Sequence, residues 1–333
     1  MTKLIDSYGR RLDYLRVSVT DRCNLRCIYC MPPEGAELKK HEDILTYDEI
    51  LRIVTIMAKL GVRNIKVTGG EPLIREGFPL FFQQLKTIPG IEKITLTTSG
   101  ILLGAYLDEV SAKGYTLPDG INISLDAIDN ALYKRITQCD NVRESNAGPA
   151  AILKNIDRLL EKKILVKINC VPVLSVNDKE ITKIAALAKD KKIIVRFIEL
   201  KPVGTASNLR SLSGAQAASR VESAYGTLVR YTGIKGNGPA VYYSIEGFAG
   251  KIGFVNAVSH GFCETCNRMR LTPEGLLKPC LSNDLSLDLR KLIRSGNNDD
   301  ELIKYIKEIV EKKPGFQSIS RIYGTPKSYP SYY

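Results

Sequence analysis

The 333-residue sequence contains no run of eighteen apolar residues, so we expect no transmembrane helix. Its first residues, MTKLIDSYGRRLDYLR, lack the apolar core of a signal peptide, and we expect a cytosolic protein. Acidic residues are also too few to balance the basic ones, which leaves a formal net charge of +12. Because the basic residues are spread along the chain, this excess favours an anion-binding pocket over a nucleic-acid or membrane partner.

Short β-rich runs alternate with helical patterns along the first two hundred residues. Helix-sized segments separate six such runs, which is typical of repeated βαβ units and a parallel sheet. Right-handed crossovers would place the helices on one face of a curved sheet or barrel, with functional residues at the carboxyl ends of the strands. The predicted strands are LRVSVT (15–20), NIKVTGG (64–70), KITLTTSG (93–100), INISLDA (121–127), LVKINCVPV (165–173) and IIVRFIEL (193–200).

The pattern changes after residue 204. We therefore expect an α/β domain over residues 1–204 and a distinct C-terminal region over residues 205–333. Within that region, YYSIEG (242–247) and KIGFVNAVS (251–259) are typical of a hairpin, and DELIKYIKEIVEKK (300–313) of a helix.

Six of the eight cysteines fall into two tight groups, which is typical of metal or cluster ligands in a reducing compartment. The first group, Cys23, Cys27 and Cys30, has the spacing C-x3-C-x2-C. Three thiolates can hold three irons of a [4Fe–4S] cluster and leave the fourth iron open. The methionine moiety of S-adenosylmethionine can chelate this open iron. One electron from the cluster then cleaves the sulfonium group. The alternatives are a zinc site or three unrelated cysteines.

The second group consists of Cys263, Cys266 and Cys280. A C-x2-C pair with one distant cysteine fits either a second open cluster or a zinc site with His260 as the fourth ligand. Arg268 and Arg270 follow two residues apart, and in an extended segment they would face the same side. Two guanidinium groups there suit a phosphate or a guanine base. The remaining cysteines, Cys139 and Cys170, are expected to be small buried apolar residues.

These motifs resemble the radical S-adenosylmethionine (SAM) superfamily, and within it the MoaA family of GTP cyclases in molybdenum cofactor biosynthesis. The resemblance covers about residues 8–290. It implies a partial (β/α)6 TIM-type barrel with a C-terminal cap, two [4Fe–4S] clusters and a homodimer. The motifs that carry it are LRVSVTDRCNLRCIYCMPPEG, VTGGEPLIREGF, INISLDAID, VRFIEL and FCETCNRMRLTPEGLLKPCL.

The resemblance also implies a reaction. The first cluster would cleave SAM to a 5′-deoxyadenosyl radical, which abstracts hydrogen from C3′ of the GTP ribose. The carbon radical would then attack C8 of guanine, and a downstream protein would convert the cyclised product to cyclic pyranopterin. We expect a reduced ferredoxin or flavodoxin as the electron donor.

The resemblance assigns residues to two ligands. Read without it, Gly70 and Glu71 could form a strand-to-helix turn, Ser124 a helix cap, and the charged residues an ordinary surface. With it, the residues expected to bind SAM are Tyr29, Gly70, Glu71, Ser124 and Lys201. Those expected to bind GTP are Arg16, Lys66, Thr97, Lys167, Arg196, Arg268 and Arg270.

The sequence departs from the family pattern at several positions. Asn64 stands where a basic residue is common, Lys66 where arginine is common, and Lys201 where methionine is expected. TTNG reads TTSG, and the chain ends in YPSYY instead of two glycines. Two alternatives to a GTP cyclase therefore stay open here. One is a two-cluster radical enzyme that acts on a peptide, and the other is a basic zinc or iron–sulfur protein that binds nucleic acid.

Overall fold

The computed structural model describes residues 3–35, 37–138, 148–202, 204–233, 238–256, 263–281 and 283–315. Within these ranges, twelve strands form one continuous sheet. They are β1 Tyr14–Ser18, β2 Asn64–Thr68, β3 Lys93–Thr98, β4 Gly120–Ser124, β5 Leu165–Cys170, β6 Ile194–Ile198, β7 Val229–Tyr231, β8 Val241–Ser244, β9 Lys251–Val255, β10 Arg268–Leu271, β11 Leu276–Lys278 and β12 Leu287–Asp288.

Nine α-helices accompany the strands in the same ranges. Across this part of the chain, none of them has both the length and the apolar character that a bilayer crossing requires. The helices are α1 Tyr47–Lys59, α2 Phe78–Lys86, α3 Leu103–Lys113, α4 Asn130–Thr137, α5 Pro149–Glu161, α6 Ile181–Asp190, α7 Gly214–Tyr225, α8 Leu289–Arg294 and α9 Asp299–Glu311.

The sheet has the strand order β12-β11-β10-β1-β2-β3-β4-β5-β6-β9-β8-β7. The eight strands from β10 to β9 in this order are mutually parallel, and the pairs at both ends are antiparallel. The predicted α/β fold with a partial (β/α)6 barrel is confirmed. Each of its six strands starts within one residue of the prediction and ends two or three residues before it.

The C-terminal region does more than cap the barrel. The predicted hairpin is present as β8 and β9, and β9 pairs in parallel with β6. At the opposite edge, β10 pairs in parallel with β1. An unpaired edge strand exposes its backbone N–H and C=O groups. Strands from the last third of the chain therefore complete the hydrogen bonding of β1 and β6. The boundary at residue 204 stays a prediction.

The outer face of the sheet carries the apolar core. Leu15, Val17, Ile65 and Val67 alternate with polar residues and are buried. Helix α1 covers part of this face, and a capping box fixes its start. The Thr46 hydroxyl accepts a hydrogen bond from the Glu49 amide, and the Glu49 carboxylate accepts one from the Thr46 amide. Such a cap contributes about 1 kcal/mol. Asp48 and Glu49 lie in the first turn of α1, where carboxylates favour the helix dipole.

The inner face of the barrel is polar instead. Its strands alternate in the pattern Y-L-R-V-S in β1, N-I-K-V-T in β2 and G-I-N-I-S in β4. Because side chains on a strand point alternately to the two faces, burying the apolar set turns Arg16, Lys66 and Asn122 toward the inside. The interior of a closed TIM barrel is normally filled with branched apolar side chains. The polar lining here instead leaves room for a ligand.

Candidate active site

The first cysteine group lies in the loop that follows β1. Its backbone is fixed on helix α4, because the amide of Arg26 donates to the carbonyl of Thr137 at 2.9 Å and that of Ile28 to Ile136 at 3.0 Å. The Arg26 guanidinium folds back onto the Cys23 carbonyl at 2.7 Å. This loop is therefore held by its own residues and by a helix that begins more than one hundred residues later.

The three thiols of this group are close enough to influence one another. Burial raises the pKa of Cys23 to about 11 and that of Cys30 to about 12, and the pKa of Cys27 lies well above its ordinary value. After burial, neighbouring thiols add to the shifts of Cys27 and Cys30. Three buried thiols are costly to ionise together unless metal ions compensate their charge. The donor set fits an iron–sulfur cluster, which binds one thiolate at each of three corners.

The loop with Gly70 and Glu71 packs directly against the first cysteine loop. The Gly70 amide donates to the Thr20 carbonyl at 2.7 Å, and the Glu71 amide donates to the Arg22 carbonyl at 2.8 Å. A Cβ at position 70 would lie only 2.0 Å from the Arg22 carbonyl oxygen. Glycine is thus required because two backbone segments meet here, immediately before Cys23.

The Glu71 carboxylate is buried and already accepts several hydrogen bonds. Donors are the Thr98 hydroxyl at 2.7 Å, the Ser99 amide at 2.6 Å and the Leu73 amide at 3.2 Å. Burial raises the pKa of Glu71, and these donors work against that shift. Glu71 therefore ties the end of β3 to the cysteine loop. Its role toward the ammonium group of SAM stays a prediction.

Tyr29 and Ser124 lie on the same side of the barrel as the first cysteine group. The Tyr29 ring is buried, and its hydroxyl donates to the carboxylate of Asp126, which also accepts from the Val171 amide at 2.7 Å. Burial raises the pKa of Asp126 to about 6. Asp126 therefore fixes the tyrosine between two cluster cysteines, and Ser124 precedes it by two residues at the end of β4.

The second cysteine group lies next to β10. The Cys266 amide donates to the Cys263 carbonyl at 3.2 Å, and the ammonium of Lys313 contacts the Cys266 Sγ at 3.8 Å. Burial raises the pKa of Cys266, but Lys313 and Arg268 together outweigh it and lower the pKa below its ordinary value. This environment favours a thiolate, which is the form that ligates metal.

The zinc alternative for this group gains no support. In the ranges that the structure describes, no three Cys, His, Asp or Glu side chains converge as ligands of one metal ion. A cubane needs only one thiolate at each iron, so its cysteines can lie farther apart than the ligands of a single zinc. His260, the fourth ligand of the zinc alternative, lies outside the described residues, as does Cys139.

A cavity of about 270 Å³ lies at the amino ends of the barrel strands. It is smaller than a typical small-molecule pocket, so it suits one part of a ligand. Among the described residues that line it there is no Asp or Glu, and the cations are Lys66, Lys93, Lys167 and Arg196. Burial lowers the pKa of Lys167 to about 8, and the charges of Arg196 and Lys93 lower it further. Such a group of cations fits a polyanion.

Two buried arginines extend this cationic region upward. Arg196 donates to the side-chain oxygens of Asn122 at 2.7 Å and Asn169 at 2.6 Å, and Arg16 donates to Thr68 at 3.3 Å. The Nε atoms of both arginines are buried without a hydrogen-bond partner. Buried unpaired donors are rare in native proteins. These atoms therefore suit an anionic ligand inside the barrel.

Arg268 and Arg270 lie on β10, and Arg270 is the register partner of Arg16 on β1. Burial lowers the pKa of Arg16, and the thiol of Cys30 and Arg268 are both near enough to affect it. Arg16 thus lies close to the first cysteine group, and its register partner Arg270 lies close to Cys280 of the second. The predicted placement of the two arginines on one face of an extended segment is confirmed by the strand.

Two parts of the chain match known families. Residues 17–188 match the radical SAM superfamily, and residues 193–318 match the family Molybdenum Cofactor Synthesis C. A GTP 3′,8-cyclase of Clostridium perfringens is 41% identical over 309 residues, which cover 93% of each chain. The chain belongs to the GTP 3′,8-cyclase family. A second cyclase of this family, from Heliobacterium modesticaldum, is 40% identical over 93% of each chain.

The fold of this cyclase-family chain also occurs in solved radical SAM structures. Streptococcus suis SuiB bound to S-adenosylmethionine matches 90% of this chain and 69% of its own, with a TM-score of 0.59 and 16% identity. At this identity the likeness shows the shared fold alone.

The geometry adds to the residue assignments that the family resemblance implies. Thr97 accepts a hydrogen bond from Asn122 at 3.2 Å and so lies on the inner face with the cations. Lys201, assigned to SAM, lies where the charges of Arg270, Arg268, Cys280 and Cys263 affect its pKa, which burial lowers. The structure thus places Lys201 beside the second cysteine group, and a contact with SAM stays a prediction.

Sequence reasoning missed three residues of this region: Asp126, Lys93 and Lys313. Asp126 was visible as a charged residue at the end of a buried strand, which is costly without a partner. Lys93 begins β3 on its inner face, so strand alternation could have placed it with Lys66. Lys313 lies at the end of a helix in sequence and gave no signal, because all its acceptors come from β10 and the loop before Cys280.

Proposed function

We propose that this protein is a GTP 3′,8-cyclase that catalyses the first step of molybdenum cofactor biosynthesis. The observation that carries the proposal is the cavity inside the barrel, which four cations line without a carboxylate among the described residues. Arg16 lies near Cys30 of the first cysteine group, and its register partner Arg270 lies near Cys280 of the second. A nucleoside triphosphate fits such a site at both of its ends. Its phosphates pair with cations, and its base accepts hydrogen bonds from polar donors.

The first cysteine group would hold the cluster that binds SAM. When bound, this cluster supplies the electron that releases a 5′-deoxyadenosyl radical from the cofactor. Cys23, Cys27 and Cys30 provide the thiolates, and the Gly70–Glu71 backbone shapes the adjacent wall by its hydrogen bonds to Thr20 and Arg22. Asp126 holds the Tyr29 ring rigid beside this position. These contacts orient the cofactor and keep water from the reacting atoms.

The inner face would bind GTP along the depth of the barrel. Lys66, Lys167 and Arg196 lie in the cavity, where they would neutralise the triphosphate. Arg16 and Arg270 lie side by side above it, and Arg268 precedes them on β10. We assign the guanine end of GTP to Arg268 and Arg270, the two arginines beside the second cysteine group. The ribose C3′–H would then face the first cysteine group, as hydrogen abstraction requires.

We propose further that the reaction takes place in the cytosol and that the enzyme is a homodimer. A downstream protein would turn the cyclised product into cyclic pyranopterin. A reduced ferredoxin or flavodoxin would supply the electron, and the net charge of +12 supports encounter with such acidic redox proteins.

Anaerobic turnover tests the proposed reaction. The reconstituted protein is incubated with SAM, dithionite and GTP, and both 5′-deoxyadenosine and the 3′,8-cyclised nucleotide are quantified by mass spectrometry. We expect the two products in about equal amounts, because each radical is consumed in one hydrogen abstraction. Formation of deoxyadenosine without loss of GTP would contradict the assignment of GTP as the substrate. It would still agree with radical cleavage of SAM. A Cys27→Ser variant, which lacks a ligand of the first cluster, is the matched control.

The alternatives make different predictions in the same assay. A peptide-modifying enzyme would cleave SAM in the presence of its peptide and leave GTP unchanged. A zinc protein that binds nucleic acid would contain neither sulfide nor a SAM-dependent spectrum. Family membership over 93% of the chain favours neither of them.

A further inference from the structure

We propose that Lys93 binds the terminal phosphate of the nucleotide and makes the pocket selective for a triphosphate over a diphosphate. This inference rests on the proposed function, because the ligand is the polyphosphate of GTP. Its basis is the position of one ammonium group in the cavity layer at the amino ends of the strands, where the two lining residues beside it, Tyr14 and Asn64, are not cationic. Lys93 belongs to none of the motifs that carry the family resemblance.

Lys93 is the first residue of β3, and it lines the cavity together with Lys66 and Lys167. Its register partner on β2 is Asn64, and Asn64 in turn pairs with Tyr14 on β1. These three residues line the cavity, and Lys93 is the cation among them. Tyr14 also pairs with Arg268 on β10, but Arg268 is not among the lining residues. Within the cavity wall, the charge of this layer is therefore supplied by β3.

The next layer contains Arg16, Lys66 and Thr95 as register partners. Lys66 lies two residues beyond Asn64 on β2, which is about 6.6 Å along a strand. Lys93 and Lys66 therefore lie at two successive steps along the strands. A triphosphate that enters from the arginine side would meet Arg16 and Lys66 first, and its last phosphate would meet Lys93.

The surroundings of Lys93 leave its ammonium available to a ligand. No carboxylate in the described part of the chain forms an ion pair with it, whereas its neighbour Glu92 pairs with Arg63 at 3.8 Å. The Lys93 side chain is half-buried, and its charge reaches both Lys66 and Lys167, lowering the pKa of each. Cations that repel one another inside a cavity are stabilised by a shared anion.

The role of Lys93 predicts a selective loss of affinity. Removing one charge-assisted hydrogen bond to a phosphate typically weakens binding about tenfold or more. In the Lys93→Met variant we therefore expect the affinity for GTP to fall about tenfold and that for GDP to change little. The wild-type protein should prefer GTP over GDP, and the variant should largely lose this preference.

The experiment compares GTP and GDP binding by anaerobic calorimetry on the reconstituted holoenzyme with SAM present. Lys154→Met removes an equivalent charge from the exposed side of α5 and serves as the matched control. In the Asn64→Lys/Lys93→Met double variant the cation moves to the adjacent strand, and we expect the preference for GTP to return. Unchanged GDP affinity in Lys93→Met shows at the same time that the variant is folded.

The outcomes separate this inference from the proposed function. If the wild-type protein cyclises GTP and Lys93→Met keeps the full GTP-over-GDP preference, the role of Lys93 is overturned and the proposed function stands. If Lys93→Met loses GTP and GDP affinity equally, Lys93 acts on the whole pocket and its selectivity role is also overturned. A wild-type protein that does not cyclise GTP would overturn both proposals together.

Discussion

The Nζ atom of Lys313 lies 3.8 Å from the Sγ of Cys266 and donates to the carbonyl of Pro279, the residue before Cys280, at 2.6 Å. It also donates to the Arg268 carbonyl at 2.7 Å. The side chain is only 2% exposed. One buried ammonium therefore joins the two ends of the second cysteine group to the end of helix α9.

This relationship predicts that Lys313→Met impairs the second cluster selectively. The variant loses the cation that stabilises the Cys266 thiolate and leaves two buried carbonyls without a donor. We expect the iron content after reconstitution to fall from about eight toward about four per chain, since each cubane holds four irons. SAM cleavage should be retained.

The adjacent Lys312 is exposed and provides a control for Lys313. Lys312→Met removes the same charge one residue away and should keep the full iron content. Iron and sulfide assays together with electron paramagnetic resonance measure both variants. Equal iron content in Lys313→Met and Lys312→Met would contradict the role of Lys313.

The two cysteine groups should be separable by mutation. Cys280→Ser is expected to remove or disturb the second cluster while SAM cleavage to 5′-deoxyadenosine partly survives. Cys27→Ser should abolish SAM cleavage, because Cys27 lies in the first group. Spectra of both variants, with and without SAM, measure the effect. Loss of the first cluster in Cys280→Ser would show that the two sites depend on each other.

GTP binding should weaken as the pH rises through about 8. The pKa of Lys167 is lowered to about 8 by burial and by Arg196 and Lys93, so the ammonium loses its proton above that pH. A bound polyanion would raise this pKa again, and binding near pH 8 should take up a fraction of a proton.

Calorimetry in buffers of different ionisation enthalpy measures that proton uptake between about pH 7.5 and about pH 9. In a Lys167→Arg variant the charge persists across this range, and both the uptake and the pH dependence should decrease. A wild-type affinity that stays constant over the range, without proton uptake, would exclude this role of Lys167.

The Glu71 carboxylate should contribute measurably to stability. Glu71→Gln replaces an acceptor by an amide that must place an N–H₂ group against the Ser99 N–H or the Thr98 hydroxyl. We expect a decrease of about 1–3 kcal/mol in the free energy of unfolding. Urea denaturation measures it. Glu76→Gln changes an exposed residue of the same segment and should cost less than about 0.5 kcal/mol.

The strands and the cluster loops could be predicted because their signals are local. Period-two alternation marked β1 to β6, and cysteine spacing marked both groups without knowledge of any distant residue. The strand ends were predicted two or three residues too late, because the residues that follow continue the β-rich pattern after ladder pairing has stopped.

The residues that complete the site could not be predicted in this way. Asp126 meets Tyr29 across a separation of 97 residues, and Lys313 meets Cys266 across 47. The depth at which Lys66, Lys93 and Lys167 lie was also missed. Their placement depends on strand register, which arises from pairing between segments and is not encoded in the composition of any one strand.

The sequence by itself determined which residues alternate, which thiols share a loop and which family pattern they form, because these properties depend on neighbours within a few residues. Only the tertiary structure decided that β9 and β10 complete the barrel edges and that four cations line one cavity inside it. Hydrogen-bond pairing brings together residues far apart in the chain, and side chains that share a cavity need no spacing in common.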